Sequence, residues 1–220
     1  MQKKTDSELR HEVLRELSWD TRTWNQKIDV DVIEGVVTLS GTASSYGRRK
    51  AAEAAAHRVF GVMDVANEIL IKIERPHNDL EIAHAVRQAL EWDAFVPDTQ
   101  ITSTVSGGWV TLEGKVDSLT ERGDAARAVE NLTGVAGVIN NIKVDVPGAD
   151  LKSLRKSIET ALERRADREA EKFRIELVDG EVNLFGRVHS WPEKKAVVGS
   201  ISHARGVTKI NDHLRIDPYF

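Results

Sequence analysis

No cysteine occurs among the 220 residues. Disulfides, thiolate nucleophiles and cysteine-ligated metals are thereby excluded, and the redox compartment is left open. No apolar run approaches the ~18 residues of a membrane span. The opening Met-Gln-Lys-Lys-Thr-Asp-Ser-Glu has a basic pair but no apolar stretch behind it, so it does not read as a signal peptide. With Met1 as the native start, the expected location is the cytoplasm; with a signal peptide already trimmed, it is the periplasm. A positive excess is lacking too. The formal net charge is −4, which argues against a uniformly basic nucleic-acid binder. The seven histidines include no i, i+4 pair and no HExxH-like spacing, so no metal is expected. A serine with a base, paired carboxylates beside an apolar pocket and a cofactor fingerprint are all missing. No catalytic residue and no cofactor are therefore expected, and the chain reads as non-enzymatic.

What is present is a repeat. Gly35-Val36-Val37-Thr38-Leu39-Ser40-Gly41 returns as Gly108-Trp109-Val110-Thr111-Leu112-Glu113-Gly114 and as Gly180-Glu181-Val182-Asn183-Leu184-Phe185-Gly186. A Gly-Val pair follows each copy at the same distance: Gly61-Val62, Gly134-Val135 and Gly206-Val207. Self-similarity at a fixed period of 72 or 73 residues fixes the organisation. Three modules are expected, over 1–75, 76–147 and 148–220. Units this small bury a modest fraction of their surface and should lean on one another. Their charges differ: net −2 over 6–75, −6 over 76–147 and +2 over 148–220.

Within each module the hydrophobic period changes in a fixed order. Leu9, Val13, Leu14 and Leu17 recur at helical spacing, with Asp6 or Ser7 as the expected N-cap. Ile28, Val30 and Val32 then alternate with Asp29 and Asp31, as in a half-buried strand. Glu34-Gly35 is a hairpin turn, and Val37 and Leu39 lie on the return strand, which Gly41 should end. A second helix starts at Ser45 and should stop at Gly61. Its counterparts start at Ser118 and Ser190, each followed three residues on by Glu121 or Glu193, the spacing of a capping box. Val65, Ile69, Ile71 and Ile73 form a third strand, expected to run parallel to the second. The prediction is α+β: three tandem two-layer αββαβ modules, each a three-stranded mixed sheet with two helices on one face.

The Gly-Val-Val-Thr-Leu-Ser-Gly hairpin, the Ser-capped Ala-rich helix and the Gly-Val-x-x-Val-x-Asn ending together resemble the BON domain family (bacterial OsmY and nodulation). The resemblance covers essentially the whole chain, three times. Copy three departs from it, with Asp212 in the Asn place and Ile210 in that of the second Val. It implies a non-enzymatic module that binds phospholipid or mediates envelope and osmotic-stress interactions. Some relatives bind a small cation, a site that maps to no residues here.

The candidate contact surface is in copy three. Lys152, Arg155, Lys156, Arg164, Arg165 and Arg168 lie on its first helix, a basic face suited to anionic lipid. The alternative is a solvated face paired internally with Glu159, Glu163, Asp167 and Glu169. Tyr46, Leu119 and Trp191 occupy equivalent places after the capping serines, for contact with lipid or a partner or for local packing at the helix start. Trp19 and Trp92 are expected in the core or between modules. The leading reading is a binding protein for anionic phospholipid or a protein partner. The alternatives are a self-assembling structural protein, a homo-oligomer built by head-to-tail contact, and a sensor of a small cation or ligand.

Overall fold

The computed structural model describes residues 3–73, 77–146, 154–158, 160 and 173–219. The first module runs α1 (Asp6–Trp19), β1 (Lys27–Ile33), β2 (Val36–Ala43), α2 (Tyr46–Arg58), β3 (Asp64–Asn67) and β4 (Leu70–Ile71). The second runs α3 (Asp79–Trp92), β5 (Ile101–Ser106), β6 (Trp109–Val116), α4 (Leu119–Glu130), β7 (Gly137–Asn140) and β8 (Lys143–Val144). The third has a helical segment over 154–158, then β9 (Arg174–Val178), β10 (Glu181–Val188), α5 (Trp191–Ser202) and β11 (Lys209–Ile216).

In each sheet the second strand is central, antiparallel to the hairpin partner and parallel to the strand after the helix. Alternation then assigns the faces. Val30 and Val32 of β1 and Val37 and Leu39 of β2 pack with Leu9, Val13 and Leu17 of α1 and Ala52, Ala55 and Ala56 of α2. Asp29 and Asp31 stay exposed on the other face. The expected mixed sheet with both helices on one side is what forms, with one core per module.

Four local features differ from the sequence reading or refine it. Thr5, not Asp6 or Ser7, caps α1, in a reciprocal box with Glu8. The Asp6 carboxylate is used elsewhere: it accepts from the backbone N–H groups of Glu34 (2.8 Å) and Gly35 (3.0 Å). Asp79 grips Gly107 and Gly108 in the same way, at 2.8 and 2.9 Å. The first helix thus clamps the hairpin turn, whose residues Glu34 and Gly35 both have positive φ.

Gly41 does not end its strand; β2 continues to Ala43. The glycine is needed for close approach. A Cβ on Gly41 would lie 2.0 Å from the Lys27 carbonyl oxygen, and one on Gly114 would lie 2.1 Å from that of Gln100. The third strand is also not continuous in modules one and two. Asn67 turns its side chain back on the chain, Oδ1 accepting from Ile69 N–H and Nδ2 donating to the Arg49 carbonyl and the Glu53 carboxylate. Asn140 does likewise with Ile142 and Arg122.

The departure in copy three now has a cause. An aspartate cannot donate to a helix carbonyl, so Asp212 accepts instead: from Leu214 N–H at 2.9 Å and from Lys194 Nζ at 3.1 Å. The helix side chain changes with it. Arg49 and Arg122 donate to the Asn67 and Asn140 carbonyls, whereas Lys194 donates to the Leu214 carbonyl and pairs with Asp212. In this module β11 runs unbroken over eight residues.

The modules contact one another head to tail through one repeated position, the first residue of the second helix. Tyr46 of α2 packs against the core of module two, and Lys50, one turn on, pairs with Glu130 at the end of α4 (2.7 Å). Leu119 of α4 packs against the core of module three. Trp191 of α5 returns to module one, stacking on His57 near the end of α2 with ring centroids 3.9 Å apart. The expectation of local packing at these helix starts gives way to packing between modules. Three such contacts close a ring within one chain.

Candidate functional site

Of the basic residues expected to meet lipid or a partner, Arg155 and Lys156 lie exposed on the helical segment 154–158, whose Leu154 and Ile158 are buried. Helical spacing puts the two bases on the side away from the core. Lys152, Arg164, Arg165 and Arg168 lie outside the described residues. Trp191 is half-buried, and its indole Nε1 donates to the Met63 carbonyl at 3.2 Å. The ring expected to face a ligand is therefore engaged by module one. Nearby, Tyr219 accepts a hydrogen bond from Lys4 N–H (3.0 Å) and sets its ring edge to Phe60. Trp191 and Tyr219 thus hold the turn after α2.

The aromatic residues expected in the core are outside it. Trp19 is 84% exposed and Trp92 82%. The reason is angular: two residues beyond Leu17 and Leu90, the last buried positions of α1 and α3, a helix has turned about 200°. Trp24 and Phe95, in the loops that follow, are exposed as well. Each of the first two modules therefore presents a pair of exposed aromatics at the same end. Repetition of Trp-Asp at one offset was the signal in the sequence, but not which way the rings pointed. Beneath Trp24 is a groove of about 200 Å³ lined in part by Leu14, Leu17, Thr23 and Ile28, below the ~300–1,000 Å³ typical of small-molecule sites.

The end of α1 is braced by charge. The Asp20 carboxylate accepts from Arg22 (Nε 3.0 Å, NH2 2.7 Å), from Arg22 backbone N–H and from Arg58 NH2 (2.8 Å). These bonds, that to the Arg22 side chain foremost, hold its carboxyl well below the usual carboxylate range. Arg58 also pairs with Glu16 at 2.7 Å, so a carboxylate–guanidinium cluster ties the ends of α1 and α2 together beside Trp19. His57 is shifted down by burial, outweighing Glu53 and Asp64, and its Nε2 has no hydrogen-bond partner. Among the described residues no group of three His, Cys, Asp or Glu side chains could hold a metal ion, and no helix is long and apolar enough to cross a membrane.

Three αββαβ units whose shared residues are turn glycines, core aliphatics and capping side chains define a tandem array of one small α+β module. The chain belongs to the BON domain family, whose sequence model matches residues 5–73, 78–146 and 150–218. It is 30% identical over 124 residues to an Anaplasma centrale protein described as an uncharacterized protein in the gshII 5′ region, covering 54% of this chain and 82% of that one. Two solved structures of the type III secretion system structural protein CdsD of Chlamydia trachomatis are similar. The first is 12% identical, with TM-score 0.26, covering 96% of this chain and 92% of that one. The second, the C-terminal domain, is 11% identical, with TM-score 0.26, covering 98% and 100%. Family membership supports a non-catalytic, envelope- or stress-related protein.

Proposed function

We propose that the protein is a non-catalytic binding protein that attaches to anionic phospholipid surfaces. The observation that carries this reading is the pair of exposed tips, Trp19 with Trp24 and Trp92 with Phe95, at equivalent ends of modules one and two. A large aromatic held in water by a folded scaffold favours a membrane interface, where its apolar body is desolvated and its N–H stays wet. The apolar contact is shallow. Glu91 and Asp93 flank Trp92, so attraction to negative lipid falls to the more basic third module, where Arg155 and Lys156 are exposed and Lys152, Arg164 and Arg168 add to the positive charge of the sequence. Each such base contributes on the order of 1 kcal/mol, weakened by salt.

Liposome co-sedimentation tests this. Wild type should pellet with anionic vesicles at low salt, less at physiological salt, and not with neutral vesicles. Trp19→Ala/Trp92→Ala should cut the bound fraction several-fold while leaving the urea midpoint nearly unchanged, because exposed substitutions alter stability by about 0.5 kcal/mol or less. A Lys152/Arg155/Lys156→Glu variant should abolish the anionic preference. Failure of wild type to pellet at any salt refutes the lipid reading and turns the exposed tips toward a protein partner.

A further inference from the structure

The three head-to-tail contacts use equivalent positions but not equivalent chemistry. Where α2 meets module two, Lys50 faces Glu130, an ion pair of opposite charges. Where α5 meets module one, the position equivalent to Glu130 is His57, and the position equivalent to Lys50 is Lys195. This third contact is also the one no linker supports. Modules one and two are consecutive in the chain, as are modules two and three. Among the described residues, module three meets module one by folding back, through Trp191 on His57 and Met63 and through Tyr219 on Lys4 and Phe60.

We propose that the Trp191–His57 contact is a latch that closes the three modules into a ring, and that acid opens it. The geometry allows a neutral imidazole and disfavours an imidazolium. A protonated His57 carries N–H groups on both ring nitrogens, and its Nε2 lies buried with no acceptor. The stacked Trp191 face offers a cation some attraction. The fixed charges around it do not secure that gain. From α5, Lys194 sits 5.1 Å over the Trp191 ring, and Lys194 and Lys195 both repel charge on His57. From α2 and β3, Glu53 and Asp64 attract it, but the Glu53 carboxylate accepts from Asn67 Nδ2 (3.0 Å) and that of Asp64 from Val65 N–H (2.8 Å).

The sign follows. His57 has a lower pKa closed than open, so the closed ring binds fewer protons. Closure is fully favoured above the ordinary histidine value of about 6.5 and weakens as pH falls below it. The latch does not depend on the lipid reading, and its measurement contains no lipid.

Small-angle scattering of the full chain at pH 7.5 and 5.5, with circular dichroism to confirm folding, tests it. Wild type should be compact at pH 7.5, with a radius of gyration of roughly 17 Å for a chain this long, and should expand at pH 5.5. His57→Phe keeps the stack without the proton and should stay compact at both. Trp191→Ala should be expanded at both. His57→Lys sets a permanent charge under an intact tryptophan and should be expanded at pH 7.5, which keeps the test decisive if Trp191→Ala fails to fold. Wild type that stays compact at pH 5.5, equal acid expansion of wild type and His57→Phe, or a compact His57→Lys at pH 7.5 would each overturn the proposal.

Discussion

Asn140 shows how much one side chain can fix. Its Nδ2 donates to the Arg122 carbonyl at 2.7 Å, and its Oδ1 accepts from Ile142 N–H at 3.2 Å. One residue thus ties the crossover helix to the strand it feeds and turns Ile142 into the core. Asn140→Ala should destabilise the chain by about 1–3 kcal/mol, because two part-buried backbone groups lose their partner; a shift of the urea midpoint at constant slope would show it. Asp20 supplies a pH dependence of the opposite origin to that of His57. Its carboxyl is held low by Arg22 and Arg58, so its contribution to stability is complete above the ordinary value of about 3.8 and is lost as pH falls below it. Asp20→Asn should therefore flatten the acid limb of a stability-against-pH curve below about pH 4 and lower the plateau at pH 7.

At the scale of elements, the second helix of each module is both a wall of its own core and the link to the next. Its start is fixed by a serine whose hydroxyl accepts from the backbone three residues on: Ser45 from Arg48, Ser118 from Glu121, Ser190 from Glu193. Glu121 and Glu193 reach one residue beyond the expected box, to the N–H groups of Asp117 and His189. Because the next residue makes the contact between modules, the cap positions the interface as well as the helix. Ser118→Ala should cost about 1 kcal/mol in urea unfolding and should speed amide exchange around Leu119 as well as in the first turn. The first helices have a different division of labour. In modules one and two the N-terminal aspartate clamps the hairpin, the middle fills the core, and the C-terminal tryptophan is left exposed.

On the scale of the whole molecule, a chain of three marginal modules gains from closure what a string of beads lacks. Head-to-tail contact between unlinked copies builds rings or fibres; here the third contact returns to the first module of the same chain. The plug of every second helix and the surface it fits are satisfied internally. Among the described residues, the open sheet faces and the aromatic tips stay exposed. Acid sensitivity at one contact of three would make the ring conditional without altering any core. The radius-of-gyration series across pH is the measurement that reads it, with His57→Phe as the variant that should be silent.

The sequence by itself determined the module and its number. Glycine spacing, strand alternation and serine caps are local, and each is dictated by backbone sterics or by the period of the element, so the αββαβ order, the mixed sheet and the covered face could all be read from it. Even the Asp212 departure was visible, though not its compensation by Lys194, because that pairing spans a helix and a strand. What only the tertiary structure decided is where the aromatics go. Trp19 and Trp92 look like core residues by type, but a turn of about 200° past the last buried leucine sends them outward. Trp191 looks like a surface residue by position, but the fold brings His57 and Met63 of another module beneath it. Composition and spacing register a side chain's chemistry and its place along one element; whether it meets water or another module depends on contacts between residues far apart in the chain, 80 positions for Lys50 and Glu130 and 128 for Trp191 and Met63.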